Sequence, residues 1–472
     1  MFQTAPQSAP FPTPEAVLAE LLSLADMPAS AIEEVSIDGK DPVFPMPYRL
    51  GTAGAAALGA VGAAISEVWK LRTGRSQKAG IDVVAAAVAM RAVMYFQIDS
   101  TRPANHRDPL AGFYPVRDGR WIYLHVYFPA HRVAALKVLD AHDAESAKRV
   151  SIEWDGEALE AAVHAAGGCA AFVRTREEWL ETAQYKALLN EAVLNITQVG
   201  DAPPRALGDG DRPLSGVQVL DLTRVLAGPV STRTLAEHGA DVLRITADHL
   251  PNLGPLEYDY GVGKLSASLD IRNADDKLQL EALLKTTDIF CQSYRPGALE
   301  RYGFSMDQVI ALRPGVVHVT LDAWGYTGPW ADRRGYDSVV QSANGMVAAA
   351  STPDAPSFLG AMPMDYLAGY LMAYGAIVAF RRQVLQGGSW SVKVSLARVG
   401  EWLMSLGSVP QADYASLPAT LGAETIERLT TSYESSIGSI SQIKPILTLS
   451  ETPPALVRPP VALGSQPARW PI

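Results

Sequence analysis

With 472 residues, 48% hydrophobic and 19% charged side chains and a net charge of −10, the chain has material for more than one core and none of the marks of disorder. The negative balance argues against a general nucleic-acid binder, so an anionic ligand must be held by local Arg and Lys side chains. Cys169 and Cys291 have neither metal-ligand spacing nor a disulfide framework, which points to a reducing, cytoplasmic setting and no metal site. Met1-Phe-Gln-Thr-Ala-Pro6 lacks the basic start of a signal peptide. Residues 50–66 are uncharged but mostly Ala and Gly, and Glu67 and Lys70 follow at once. That is a packed core helix and no membrane span.

In chain order, residues 1–46 form a lead segment rich in Pro, Ala and Ser, with one short helix near 14–25. Residues 47–106 form a helical unit, in which 52–100 read as two Ala-rich helices joined by Leu71-Arg-Thr-Gly-Arg-Ser-Gln77. Residues 107–200 form a smaller α+β domain. Trp121-Ile-Tyr-Leu-His-Val-Tyr127 alternates like a strand, residues 131–141 are amphipathic, and Thr175 caps a helix with acids in its first turn. The turn-rich run 201–214 is a linker. Over 215–345 short apolar runs alternate with helical ones: strands at 217–221, 241–245, 266–270, 287–291 and 316–321, helices near 231–239, 275–286 and 306–313. This predicts an α/β fold, a doubly wound, mostly parallel Rossmann-like domain. Residues 346–406 form a second helical unit, with helices at 364–386 and 393–406, and 407–472 a Ser/Thr/Pro-rich tail that wraps in extended form.

There is an internal echo. At an offset of 313 (387 − 74), Ala55, Leu58, Ala60, Gly62, Ala63 and Ser76 match Ala368, Leu371, Ala373, Gly375, Ala376 and Ser389. The same offset sets Thr52 opposite Asp365, so residues 47–106 partly repeat 360–406.

Ligands of a doubly wound sheet bind beyond the carboxyl ends of the strands. The segments there are 223–228, Arg272, Ser293-Tyr-Arg-Pro-Gly297 and Trp324-Gly-Tyr-Thr-Gly-Pro329. The first turn lacks G-x-G-x-x-G, which disfavours a nicotinamide enzyme. Arg224, Arg272, Arg295 and Arg301 have the chemistry to clamp phosphates. Asp365, in Met362-Pro-Met-Asp-Tyr-Leu-Ala-Gly369, either caps a long helix or acts as a nucleophile. His318 reads as a satisfied core residue, and His238 and His249 as surface or loop positions. Trp324 and Trp330 fit an acyl pocket or plain packing.

The chain resembles the class III CoA-transferases, the CaiB/BaiF group. The resemblance rests on Val219-Leu-Asp-Leu-Thr-Arg-Val-Leu-Ala-Gly-Pro229, Leu235-Ala-Glu-His-Gly-Ala-Asp-Val-Leu-Arg244 and Gly263-Lys-Leu-Ser-Ala-Ser-Leu-Asp-Ile-Arg272. It continues through Tyr294-Arg-Pro-Gly-Ala-Leu-Glu-Arg-Tyr-Gly303, Gly325-Tyr-Thr-Gly-Pro329 and Gly335-Tyr-Asp-Ser-Val-Val-Gln341. The order is unusual, because a helical unit and small domain precede the nucleotide-type domain; the chain is similar to a two-part, partly duplicated member. The resemblance implies a CoA-binding α/β domain and, commonly, an intertwined homodimer. It implies that CoA moves between an acyl-CoA thioester and a carboxylic acid through an aspartyl intermediate on Asp365, with CoA as substrate or product and no other cofactor. Tyr336 and Asp337 would line the acyl pocket. Val225 and Leu226 would flank the adenine, with Leu269, Arg272, Ser293, Tyr294, Arg295 and Arg301 completing the CoA contacts. Thr246 and Ala247 depart from relatives that carry Glu and Arg there. Racemases of the family have His at the Tyr336 position, and Tyr is a poor base near neutral pH. A racemase or lyase, or a non-catalytic acyl-CoA binder, are the alternatives.

Overall fold

The computed structural model describes residues 11–103, 108–254, 256–352 and 355–471; residues 1–6, which bear on a signal peptide, lie outside them. Strand β1 (Val35–Asp38) leads to helix α1 (Leu50–Thr73), strand β2 (Ala79–Asp82) and helix α2 (Val83–Ala89). Three antiparallel strands, Gly112–Pro115, Trp121–Leu124 and Ala170–Phe172, follow with their helices and enclose a separate small core. Then come β3 (Asn195–Gly200), β4 (Gln218–Leu222), α3 (Ala227–Glu237), β5 (Asp241–Thr246), β6 (Lys264–Ser268), β7 (Ile289–Gln292) and β8 (Val317–Asp322). Helix α4 (Asp337–Ala343), helix α5 (Pro363–Gln386), strand β9 (Ser389–Ser395) and helix α6 (Leu396–Ser405) complete the second half, and β10 (Thr448–Leu449) lies in the tail.

Seven strands form one sheet in the order β6-β5-β4-β7-β8-β9-β3, all parallel except β3, which runs antiparallel to β9. The order reverses between β4 and β7, and a crevice opens beyond the carboxyl ends of strands at such a reversal. The two loops meet there: the backbone N–H of Arg224 donates to Ser293 Oγ at 3.1 Å.

A buried polar cluster fixes the first turn. Asp221, fully buried, accepts from Thr223 Oγ1 (2.6 Å), Thr232 Oγ1 (2.6 Å) and Lys264 Nζ (3.1 Å), which ties β4, α3 and β6 together. Burial pushes the Asp221 pKa up, but Lys264, Arg244 and the threonine hydroxyls outweigh it and leave it below the usual value. Burial in turn draws Lys264 down to about 8.

Helix α5 is buried along most of its length, packed on α3 and α1. Close approach to α3 requires Gly369, because a Cβ there would lie 2.7 Å from the Ala227 carbonyl oxygen and 2.8 Å from Val230 Cβ. Gly369→Ala should therefore destabilise the protein by about 1–3 kcal/mol through overpacking. Thermal unfolding checks this, and an unchanged midpoint would contradict so tight a crossing.

Several expectations need correction. The run 393–406 is not all helix: residues 389–395 form β9, buried between β8 and β3, and α6 starts at Leu396. The second Ala-rich helix shrinks to Val83–Ala89, because Ala79–Asp82 pairs with β1. The strand expected at 266–270 lies at Lys264–Ser268. The tail is not merely extended: a hairpin, Thr430–Ser435 with Gly438–Ile443, precedes β10. His238 is 1% exposed, because the tail covers the end of α3, where Ala455 N–H donates to the Glu237 carbonyl. His318 is buried as expected but not satisfied; its Nδ1 has no partner among the described residues, and burial draws its pKa to about 4. Helix α1 is long and apolar enough to cross a membrane, and it lies in the core with 94% of its apolar window buried.

Candidate active site

The first turn of α5 has free N–H groups and a Pro at its first position, as helix starts allow. Its cap comes from another helix. Asp337 Oδ2 accepts from the N–H of Met364 (2.8 Å) and of Asp365 (3.2 Å). Asp337 is the first residue of α4, and Gln341, one turn on, donates Nε2 both to Asp337 Oδ1 and to the Ala361 carbonyl. Gln341 Oε1 accepts from the Leu359 N–H, so this one side chain staples the segment ahead of Asp365 to α4. The capping role open to Asp365 is thus taken by Asp337. Among the described residues nothing hydrogen-bonds the Asp365 carboxyl, although it is only 8% exposed.

Two carboxyls in one buried place raise each other's cost of ionisation. Burial, then the Asp337 charge, push the Asp365 pKa well above the carboxylate range. Burial pushes Asp337 to about 7, against the hydrogen bonds from Gln341, Asp365 and Met364. The outcome is a nearly dry carboxyl at a helix N-terminus, where the dipole favours its ionised form.

Tyr336 precedes Asp337 but faces different company. Its ring stacks on His125 at 3.9 Å between centroids and lies 5.6 Å from Phe128. Burial raises its phenol pKa, with Arg224, Arg334 and Arg295 close enough to oppose the rise. Among the described residues Tyr336 makes no hydrogen bond to Asp365.

The expected CoA residues cluster beyond the strand ends. Val225 has φ +72°, a left-handed conformation unusual for a β-branched residue and of the kind found at functional turns. Leu226 and Leu269 are buried, and Ser293 holds the Arg224 backbone. Tyr294 is half-buried, its N–H donating to Gln292 Oε1. Arg272 is paired with Asp270 at 2.6 Å, and Arg301 lies over the Tyr302 ring at 5.1 Å. Burial, then Arg334, Tyr336 and Arg301, act on Arg295, whose pKa is lowered. Among the described residues Arg295, Arg301 and Arg334 form no ion pair. Arg334 was not singled out in the sequence, and Gln341 entered only as the end of the motif Gly335–Gln341, with no role given to it. Arg334 immediately precedes that motif, which is the signal that could have found it.

An α/β chain with a desolvated carboxylate pair at one helix start, and arginines without counter-ions beyond its strand ends, is equipped to handle an acyl group on an anionic carrier. The chain belongs to CoA-transferase family III, whose family model matches residues 35–206 and 214–426 and breaks inside the linker expected at 201–214. The acetyl-coenzyme A transferase nodX of Hypoxylon pulicicidum is 31% identical over 225 residues, 45% of this chain and 37% of that protein. The succinyl-CoA:glutarate CoA-transferase of Mus musculus is 31% identical over 188 residues, 37% of this chain and 43% of that one. The chain thus spans less than half the length of either relative. Among solved structures, Rv3272 from M. tuberculosis in its orthorhombic form is 27% identical, covering 41% of this chain and 58% of that chain with a TM-score of 0.39.

Proposed function

We propose that the protein is a CoA-transferase that moves CoA between an acyl-CoA thioester and a carboxylic acid, with Asp365 as acyl acceptor. The observation that carries this reading is the buried Asp365 carboxyl, free of protein hydrogen bonds and set at a helix start by Asp337, in a chain of CoA-transferase family III. An Asp365 oxygen attacks the thioester carbonyl carbon; the C–S bond breaks and CoA leaves as thiolate, giving a mixed anhydride. The thiolate attacks the aspartyl carbonyl and expels the donor acid, giving an aspartyl-CoA thioester. The acceptor carboxylate attacks that thioester and the thiolate returns to its acyl carbon. The donor acid leaves as a free carboxylate, the Asp365 carboxylate is regenerated, and the thioester's free energy is kept because water is excluded. CoA is substrate and product, and the chemistry needs no metal. Two buried free thiols, Cys169 and Cys291, suit a cytoplasmic protein.

Racemisation needs a second base opposite the aspartate. The Tyr336 phenol is held above its usual pKa, and burial keeps His125, stacked on it, down at about 3. Neither is a competent base at neutral pH.

The test is exchange of CoA among a panel of acyl-CoA donors and carboxylate acceptors, followed by chromatography. One new acyl-CoA formed for each donor consumed is the expected result. Release of free CoA alone, or epimerisation of a 2-methylacyl-CoA without exchange, would overturn the reading. Arg295→Ala and Arg334→Ala should each raise KM for the thioester roughly ten- to hundred-fold, as loss of a charge-assisted contact of about 1.5–3 kcal/mol predicts. The effect should shrink as salt is added, and an unchanged KM in both variants would remove these arginines from the anion site.

A further inference from the structure

The two halves of the chain share more than a helix. Helices α1 and α5 are each 24 residues long and are related end to end by an offset of 313 (363 − 50 and 386 − 73). Gly74 and Gly387, which follow them, have φ of +74° and +78°. At the same offset β2 falls on the last four residues of β9, and α2 starts where α6 starts. Strand β1 pairs with β2 as β8 pairs with β9: Val35 faces Ala79, Val319 faces the equivalent Val392, and both ladders run parallel. On the other side each sheet takes an antiparallel strand in one register, Leu449 facing Ala79 and Ile196 facing Val392. Even the packing agrees. A Cβ on Gly62 would lie 2.9 Å from Ala79 Cβ and 2.9 Å from Leu447 Cδ1; on the equivalent Gly375 it would lie 2.6 Å from Val392 Cγ1 and 2.8 Å from Leu194 Cδ1.

These antiparallel strands are exchanged. From α2 the chain runs through the small domain and enters the second sheet as β3. From α6 it runs through the tail and enters the first sheet as β10. The two units cross over within a single chain, with α1 packed against α5.

The helix start is duplicated too. Asp41 accepts from the N–H of Gly51 (3.1 Å) and Thr52 (2.6 Å), the counterparts of Met364 and Asp365. Asp41 thus does for α1 what Asp337 does for α5. Two things are missing. Thr52, 2% exposed, stands where the carboxylate would be. The first sheet ends at β1, so β4 to β7, whose ends carry the arginine cluster, have no counterpart there among the described residues.

We propose that residues 35–89 are a truncated, reciprocally crossed copy of residues 319–402, and that the chain carries a single acyl-transfer site, with Asp41–Thr52 its vacated counterpart. The proposal rests on the reading of Asp365 as nucleophile. The copy still supports the second half, because the Val93 N–H, just past α2, donates to Tyr366 Oη at 2.8 Å and so braces the residue beside Asp365.

The test is to incubate the full chain with acetyl-CoA or succinyl-CoA, quench with hydroxylamine and map the peptides. Hydroxylamine displaces CoA from an aspartyl-CoA thioester and leaves a hydroxamate. At saturation one hydroxamate per chain is expected, on the Asp365 peptide, with turnover of Thr52→Val within about two-fold of wild type. A hydroxamate on the Asp41 peptide, an acyl ester on Thr52, or a ten-fold loss of turnover in folded Thr52→Val would overturn the single-site proposal. The absence of any adduct in the wild-type protein would instead overturn Asp365 as nucleophile.

Discussion

Asp365→Asn should lower CoA transfer by about 10³-fold or more, because the proposed covalent step uses the Asp365 carboxylate. Thioester binding should persist, since the arginines beyond the strand ends are untouched; isothermal titration with CoA checks this. Stability gives a second readout. The wild-type carboxyl is buried beside a like charge and accepts no hydrogen bond from the described residues. A neutral amide should therefore raise the unfolding midpoint above pH 7. A residue that merely served the α5 N-terminus would behave oppositely: Asn caps about as well as Asp, but losing the charge–dipole attraction costs about 0.3–1 kcal/mol. Retained turnover with a lower midpoint would make Asp365 a structural residue.

How far the sequence went can be judged residue by residue. Strands β4 to β8 were legible, because short apolar runs between Gly- and Asn-rich turns have few alternatives. Strand β9 was not: Ser389–Ser395 joins α5 to α6 through a stretch with no turn residue at its far end, and only its place between β8 and β3 makes it a strand. Asp365 was legible as a carboxylate at a helix start, but its neighbour's role was not. A helix cap is expected one to three residues from the helix, and Asp337 comes from 28 residues upstream (365 − 337). The same distance effect hid the duplicated anchor. Asp41 and Thr52 are 11 residues apart (52 − 41), so the two carboxylates do not align at the offset that aligns the helices. Arg334 and the His125–Tyr336 stack arise from the small domain meeting the main sheet, a long-range contact that no local pattern encodes.

Asp337→Asn should move the acid limb of the pH–rate profile to lower pH, by roughly one unit, since each unit corresponds to about 1.4 kcal/mol of interaction between the charges. In the proposed mechanism Asp365 must be ionised, and in the wild type it must ionise beside Asp337, itself pushed up to about 7. Transfer should therefore fall as pH drops, beginning well above the usual carboxylate range. Asparagine keeps an oxygen for the Met364 and Asp365 N–H groups but removes the like charge, so Asp365 ionises more easily. Stability follows with the opposite sense to the usual carboxylate. Both pKa values are raised above the unfolded 3.8, so between about 4 and 7 the folded state holds more protons than the unfolded one. The Asp337 contribution is then fully present below about 4 and is lost as pH rises through about 7, and the Asp365 contribution is lost in the same direction. In Asp337→Asn that downward slope of unfolding midpoint against pH should flatten. If the acid limb and the slope both stay where they are, the two carboxyls do not share their charge, and the desolvation of Asp365 alone must set its reactivity.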